Sequence, residues 1–258
     1  MGDASDDSFV EFAASLADAS RQIALRYFRT PVEIAEKADG TLVTAADREA
    51  EEVMRALIAA RFPEHGVIGE ELGRERADAD YVWTLDPIDG THAFISGLPL
   101  FGTLIGLSYR GASILGVIDH PATDERWLGG VGCATTRNGE RVATRACAEL
   151  SRATLYTTSP DQFTGADRAG ERVTAAVKTL RYGTDCYGYS MVASGYGDLV
   201  LESGLSPHDF QALAPVVIAA GGIMTDWEGE PLRMGSDGRV VACGDSRIHE
   251  QALAMLAE

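Results

Sequence analysis

Two acids three residues apart, Asp86 and Asp89, close an apolar run in the segment Trp83-Thr84-Leu85-Asp86-Pro87-Ile88-Asp89-Gly90-Thr91. Acids at the carboxyl end of a strand face the crevice in which α/β sheets receive ligands. Asp-Pro and Asp-Gly are also common turn dipeptides, so the pair taken alone reads first as a turn. Its company argues for more. A second strand-like run, Val67-Ile68-Gly69, ends in Glu70 and Glu71, and Asp209 stands at the start of a predicted helix behind Pro207 and His208. Oxygen donors of this kind suit Mg²⁺, which prefers carboxylates, waters and substrate phosphate to histidine or thiol cages. If Gly90-Thr91 leads into a helix, backbone N–H groups lie beside the acids, where a phosphate can be received. Two cations a few Å apart polarise an ester, activate a water and stabilise the leaving oxygen. They also bring positive charge to a chain whose formal net charge is -17.

The elements that must position these residues are legible from periodicity. Phe9, Phe12, Ala13, Leu16, Ile23 and Tyr27 follow helical spacing, predicting a helix over about 8–28, and Val53, Met54, Leu57, Ile58 and Phe62 mark a second beginning near Thr44. Short β-type runs follow at 67–69, 81–85, 103–109, 114–119 and 127–128, with Asn138-Gly139 as a tight hairpin turn. The second half alternates: strands at 153–157, 178–181 and 198–201, helices at 166–177, 186–194 and 210–220, strands at 222–225 and 239–243, and a closing helix from Ser246. The layout is mixed α/β, helices plus a meander first and βαβ-like afterwards.

With 258 residues, 45% hydrophobic and 24% charged, the chain can bury a full core without disulfide or metal staples. The acidic balance argues against nucleic acid or an anionic membrane as partner, since both are bound by surplus Lys and Arg. Cys133, Cys147, Cys186 and Cys243 lie far apart with no C-x-x-C pair, which predicts reduced thiols rather than a zinc site. The opening MGDASDDSF has no basic and apolar signal pattern, so the expectation is a soluble cytoplasmic protein.

These residues carry a resemblance to the inositol monophosphatase family. Its first signature, W-x-x-D-P-x-D-G-T with a preceding G-E-E, is matched by Trp83 to Thr91 and by Gly69-Glu70-Glu71; its second, an acid opening a helix ahead of A-x-x-x-x-x-A-G-G, is resembled by Asp209 and the run Ala214 to Gly222. The resemblance implies a layered αβαβα sandwich of the sugar-phosphatase type, one domain over 1–258 with a metal-binding half (about 1–145) and a substrate-shaping half (about 146–258), and a homodimer. It places metal ligands on Glu70, Asp86, the Ile88 carbonyl, Asp89 and Asp209, with Asp47 reached through water and paired with Thr91 to position the attacking water. It implies two or three Mg²⁺ per site, replaceable by Mn²⁺, and a small phosphorylated metabolite as partner. Substrate contacts fall on Gly90, Thr91, Arg181, Gly183, Thr184, Asp185, Glu202 and Asp209, and Lys37 falls near a lysine that sites water in relatives. His208 departs from the tryptophan many relatives carry. Three stretches resemble the histidinol-phosphate branch of the family more than the inositol enzymes: Phe94 to Thr103, Ile118-Asp119-His120-Pro121 with Glu125 to Gly129, and Arg181 to Tyr187. That branch implies hydrolysis of L-histidinol phosphate to L-histidinol in histidine biosynthesis. An inositol-1-phosphate or broad sugar and nucleotide phosphatase is the alternative.

Several of these residues have plain structural readings. Asp47 follows Thr44 by three and completes a capping box; Thr91 and Asp185 serve equally as helix caps; Lys37 reads as a surface lysine. His65, His120 and His249 are expected to be structural or exposed, whereas His92 adjoins the phosphate cradle. Tyr187 or Tyr189 offers an aromatic wall for a cationic substrate. A haloacid-dehalogenase mechanism wants its acids two apart near the N-terminus, and these are three apart around Pro87. No nucleophile elbow or glycine-rich nucleotide loop is present. A non-catalytic Mg²⁺-binding protein should have lost Asp47, Thr91 or an acid, and all remain.

Overall fold

The computed structural model describes residues 7–31, 34–36 and 42–258. Helices α1 (Asp7–Tyr27) and α2 (Ala45–Arg61) pack together, separated in sequence by the short antiparallel pair β1 (Ile34–Glu36) and β2 (Leu42–Thr44). Strands β3 (Gly66–Gly69), β4 (Gly73–Glu75) and β5 (Tyr81–Asp89) come next, then the one-turn helix α3 (Thr91–Ile95). The meander β6 (Gly102–Tyr109), β7 (Ala112–His120), β8 (Glu125–Gly130), β9 (Cys133–Arg137) and β10 (Glu140–Arg141) completes an eight-stranded sheet in the order β10-β9-β8-β7-β6-β5-β3-β4. Asn138 and Gly139, both at positive φ, make the β9–β10 hairpin as expected.

The second sheet is built from β11 (Thr154–Thr157), β12 (Thr179–Tyr182), β13 (Leu199–Glu202), β14 (Ile223–Thr225) and β15 (Val240–Cys243), in the order β12-β11-β13-β15-β14. Between these strands run α4 (Gly170–Ala176), α5 (Asp185–Ala193) and α6 (Pro207–Ala219), and α7 (Ser246–Leu256) closes the chain. The inner strands β13 and β15 are buried on both faces, so their residues alternate between two cores. Leu199, Leu201 and Val241 turn toward α4 and α7, whereas Val200, Val240 and Ala242 turn toward α5 and α6. Trp83, Leu85 and Leu107 of the first sheet pack on Phe9, Leu16, Met54 and Ile58 of α1 and α2. The layers therefore run α1/α2, first sheet, α5/α6, second sheet, α4/α7, an αβαβα sandwich. Helix α6 lies so close to the first sheet that a Cβ at Gly116 would come 1.9 Å from the Ala212 carbonyl oxygen.

Several boundaries differ from expectation, among them strand β8, which spans Glu125–Gly130 rather than 127–128. Strand β5 runs on to Asp89 instead of ending at Leu85, because pairing with β6 resumes beyond Pro87. The helix expected at 166–177 shrinks to Gly170–Ala176 behind a 3₁₀ turn at Gly165–Asp167. Helix α6 starts at Pro207, placing Asp209 inside its first turn. All four cysteines are free thiols, and no described helix is long and apolar enough to cross a membrane.

Candidate functional site

Residues three apart on a regular strand point to opposite faces, so Asp86 and Asp89 need an irregularity to meet. Pro87 has no N–H to give β6, and the register shifts there: Asp86 pairs with Leu104 but Asp89 with Gly102, three steps of β5 against two of β6. This extra residue is a bulge that turns both acids the same way. Asp86 Oδ1 accepts the Ile88 N–H at 3.1 Å, Asp89 Oδ2 accepts the Cys186 N–H from α5 at 2.8 Å, and Thr103 Oγ1 holds the Pro87 carbonyl at 2.8 Å. From α6, Asp209 joins them with its Oδ2 accepting the Ser206 N–H at 2.7 Å. One carboxylate oxygen from each of Asp86, Asp89 and Asp209 lies within 4.8 Å of the others.

Burial, reinforced by the neighbouring Glu70, Asp89 and Asp209, holds the Asp86 carboxyl well above the usual range. Asp89 is pushed up to about 8, first by burial and then by Asp185 and Asp209. Carboxylates this close cannot all ionise in a dry pocket without a counter-charge. The donor set is all hard oxygen, so the residues fit a divalent cation of the Mg²⁺ type. Glu70 follows β3 and is anchored by its own N–H on the Leu85 carbonyl at 3.1 Å, with its carboxyl beside Asp86.

Asp47 closes the expected capping box with one carboxylate oxygen and commits the other to no described residue. Its Oδ2 accepts from the Thr44 N–H at 2.8 Å and the Thr44 hydroxyl at 2.6 Å, closing the capping box of α2. Its Oδ1 is buried and has no hydrogen-bond partner among the described residues. Burial, then Glu70, raises its pKa against the lowering effect of Thr44. Thr91 opens α3 behind Gly90, whose φ of 76° is the left-handed conformation that glycine adopts freely. The Thr91 hydroxyl donates to the Ile88 carbonyl at 3.2 Å, tying the two residues together.

A cavity of about 740 Å³ opens over this cluster, lined by Glu70, Gly90, Thr91, His92, Gly183 and Asp185 among the expected residues. Asp185 sits against Gly90, where a Cβ would come 2.9 Å from Asp185 Oδ2. Asp185 is not the cap of α5, contrary to the cap reading: Thr184 precedes the helix, and Asp185 is its first residue at a φ of 44°. A non-glycine residue held there is strained, which marks a position imposed by its surroundings. Burial raises its pKa against the lowering pull of Thr158 and His92.

The other substrate-side residues lie farther out. Arg181 is exposed on β12, Thr184 is buried with an unpartnered hydroxyl among the described residues, and Lys37 lies outside the described residues. Glu202 is 1% exposed, with Oε1 accepting from the Thr158 N–H (2.9 Å) and hydroxyl (3.1 Å) and Oε2 from Gln162 (2.7 Å). It thus stands behind the cavity wall, its pKa pushed up to about 8 by burial. Neither tyrosine supplies an aromatic wall. Tyr187 donates to Glu125 at 2.9 Å with its ring edge-on to His120, and Tyr189 is buried in the core between the sheets. His65, His120 and His249 are structural, bonded to Trp83, to Phe101 and to Thr225 respectively. Sequence reasoning missed Leu42, Leu98, Thr158, Ser159 and Asp161, which also line the cavity; the run Thr158 to Asp161 reads only as a polar loop.

Comparison with known proteins agrees with this geometry. The model of the inositol monophosphatase family matches residues 5–258. The chain is 48% identical to the bifunctional phosphatase IMPL2, chloroplastic, of Arabidopsis thaliana over 99% of this chain and 77% of that protein. It is 36% identical to a histidinol-phosphatase of Chlorobaculum parvum over 90% and 91% of the two chains. Among solved structures, an inositol monophosphatase from Zymomonas mobilis superposes with a TM-score of 0.89 at 40% identity, covering 98% of this chain and 99% of that one.

Proposed function

The chain belongs to the inositol monophosphatase family, and from that membership we propose a Mg²⁺-dependent phosphatase acting on L-histidinol phosphate. The observation that carries the substrate is Asp185, an acid set against Gly90 on the wall of the cavity, beyond those that meet at the metal cluster. An inositol ring offers only hydroxyls, which neutral groups satisfy. Histidinol presents an ammonium and a titratable imidazole, for which a carboxylate is the matching partner. The histidinol-phosphatase of Chlorobaculum parvum supports this reading, and the inositol monophosphatase of Zymomonas mobilis makes inositol 1-phosphate its competitor. Family membership also supports a homodimer, for which light scattering should give twice the chain mass.

Glu70, Asp86, the Ile88 carbonyl, Asp89 and Asp209 would hold the cations, two or three of them. Bound Mg²⁺ supplies Lewis-acid polarisation of the phosphoryl group and acidifies a nearby water. Gly90 and Thr91 receive the phosphate at the start of α3. The Thr91 hydroxyl, donating to Ile88, presents its lone pairs to the attacking water. Asp47 Oδ1, whose sister oxygen is committed to Thr44, takes the proton. Water oxygen bonds to phosphorus as the P–O ester bond breaks, the leaving alkoxide taking up a proton from solvent, with no phosphoryl-enzyme between. Comparing kcat/KM for L-histidinol phosphate and inositol 1-phosphate tests the assignment. Histidinol phosphate should be favoured, and Asp185→Ala should depress it about tenfold to a hundredfold, the worth of a contact of about 1.5–3 kcal/mol. Glycerol 2-phosphate should hardly respond. Faster hydrolysis of inositol 1-phosphate, or equal loss on both esters, would overturn the substrate or the role of Asp185.

A further inference from the structure

One turn beyond Asp47, on the same face of α2, Glu51 is fully buried without lining the cavity. Its carboxylate is filled from one direction by the turn at 70–72: Oε2 accepts the Glu71 N–H at 2.8 Å and Oε1 accepts the Leu72 N–H at 3.1 Å. Two successive backbone N–H groups converging on an anion form a nest that takes its shape from the charge it encloses. Arg55 balances that charge at 2.7 Å. The fit also dictates Gly69, since a Cβ there would come 1.9 Å from Glu51 Oε1. Glu70, between Gly69 and these two amides, is therefore held by the Leu85 carbonyl on one side and by Glu51 on the other.

We propose that Glu51 is a positioning residue of the metal centre, fixing the 70–72 turn so that Glu70 presents its carboxylate beside Asp86. The inference rests on Glu70 being a cation ligand. Glu51→Gln keeps the shape of the side chain but sets an NH₂ group against an N–H and removes the charge. Partners that orient metal ligands are worth about tenfold to a hundredfold in affinity. Calorimetric titration of Mg²⁺ into the full chain should show E51Q weakened by that factor. Ile58→Ala, which thins the core beneath the same helix, should lower Tm yet leave Mg²⁺ affinity within about twofold. Folded E51Q with wild-type affinity overturns the inference alone, whereas a wild-type chain that takes up no Mg²⁺ overturns the metal reading and the inference with it. Should E51Q fail to fold, hydrogen exchange on the wild-type chain decides. Added Mg²⁺ should slow exchange of the Glu71 and Leu72 amides about tenfold, and an unchanged rate overturns the proposal.

Discussion

Two acids of the site, Asp47 and Asp209, also close helix caps, so the proposed function asks a second role of each. Asp47 and Asp209 both occupy the third position of a helix, and both give Oδ2 to the N–H of the preceding cap residue. Asp209→Asn retains an acceptor for Ser206 while removing charge from a crowded cluster. It should leave metal-free Tm unchanged or raised, yet lower Mg²⁺ affinity and phosphate release together by at least about a hundredfold. Near wild-type activity would remove Asp209 from the ligand set. If, as proposed, the Thr91 hydroxyl serves the attacking water rather than the bound ester, Thr91→Val should lower kcat by about 10²-fold or more with KM little changed. A rise in KM alone would assign Thr91 to binding.

At the scale of elements, Thr44 shows how closely stability and chemistry are joined. Thr44→Ala removes the cap of α2, costing about 1 kcal/mol and about 2–4 °C in Tm for a chain of this size. Because Thr44 also fixes Asp47, kcat should fall as well; a Tm loss with full kcat would make the cap purely structural. Helices α1, α2 and α6 and the central strands were legible because apolar periodicity survives in sequence. The acids at 70, 86, 89 and 209 were legible because each lies at the end of an apolar run or opens a helix. Other features had no local signature. The bulge that turns Asp86 and Asp89 together depends on β6 resuming its pairing beyond Pro87. The strained φ of Asp185 and the position of Glu202 behind Thr158 depend on contacts between elements far apart in sequence. Tyr187 and Tyr189 could be placed on α5 from spacing but not on its inner or outer side, because α5 is buried nearly all round.

Across the whole molecule, buried titratable groups set opposing limits on stability. Burial lowers His120 to about 4, against about 6.5 for an unfolded histidine. Its contribution is present above pH 6.5 and is lost as pH falls toward 4. Asp89 and Glu202 are raised to about 8, against about 4 when unfolded. Their contribution is full below pH 4 and is lost as pH rises through 8. Metal-free protein should therefore lose Tm between pH 6 and pH 9, and Mg²⁺ should restore it by replacing the protons of the cluster. A flat metal-free profile would contradict the raised carboxyls. Metal-dependent hydrolysis is tested most directly by the phosphate released from L-histidinol phosphate as Mg²⁺ is titrated into the chain and then stripped with excess chelator. The expected result is saturable turnover that disappears on stripping and returns when Mg²⁺ or Mn²⁺ is restored. Turnover that persists undiminished in excess chelator would contradict it.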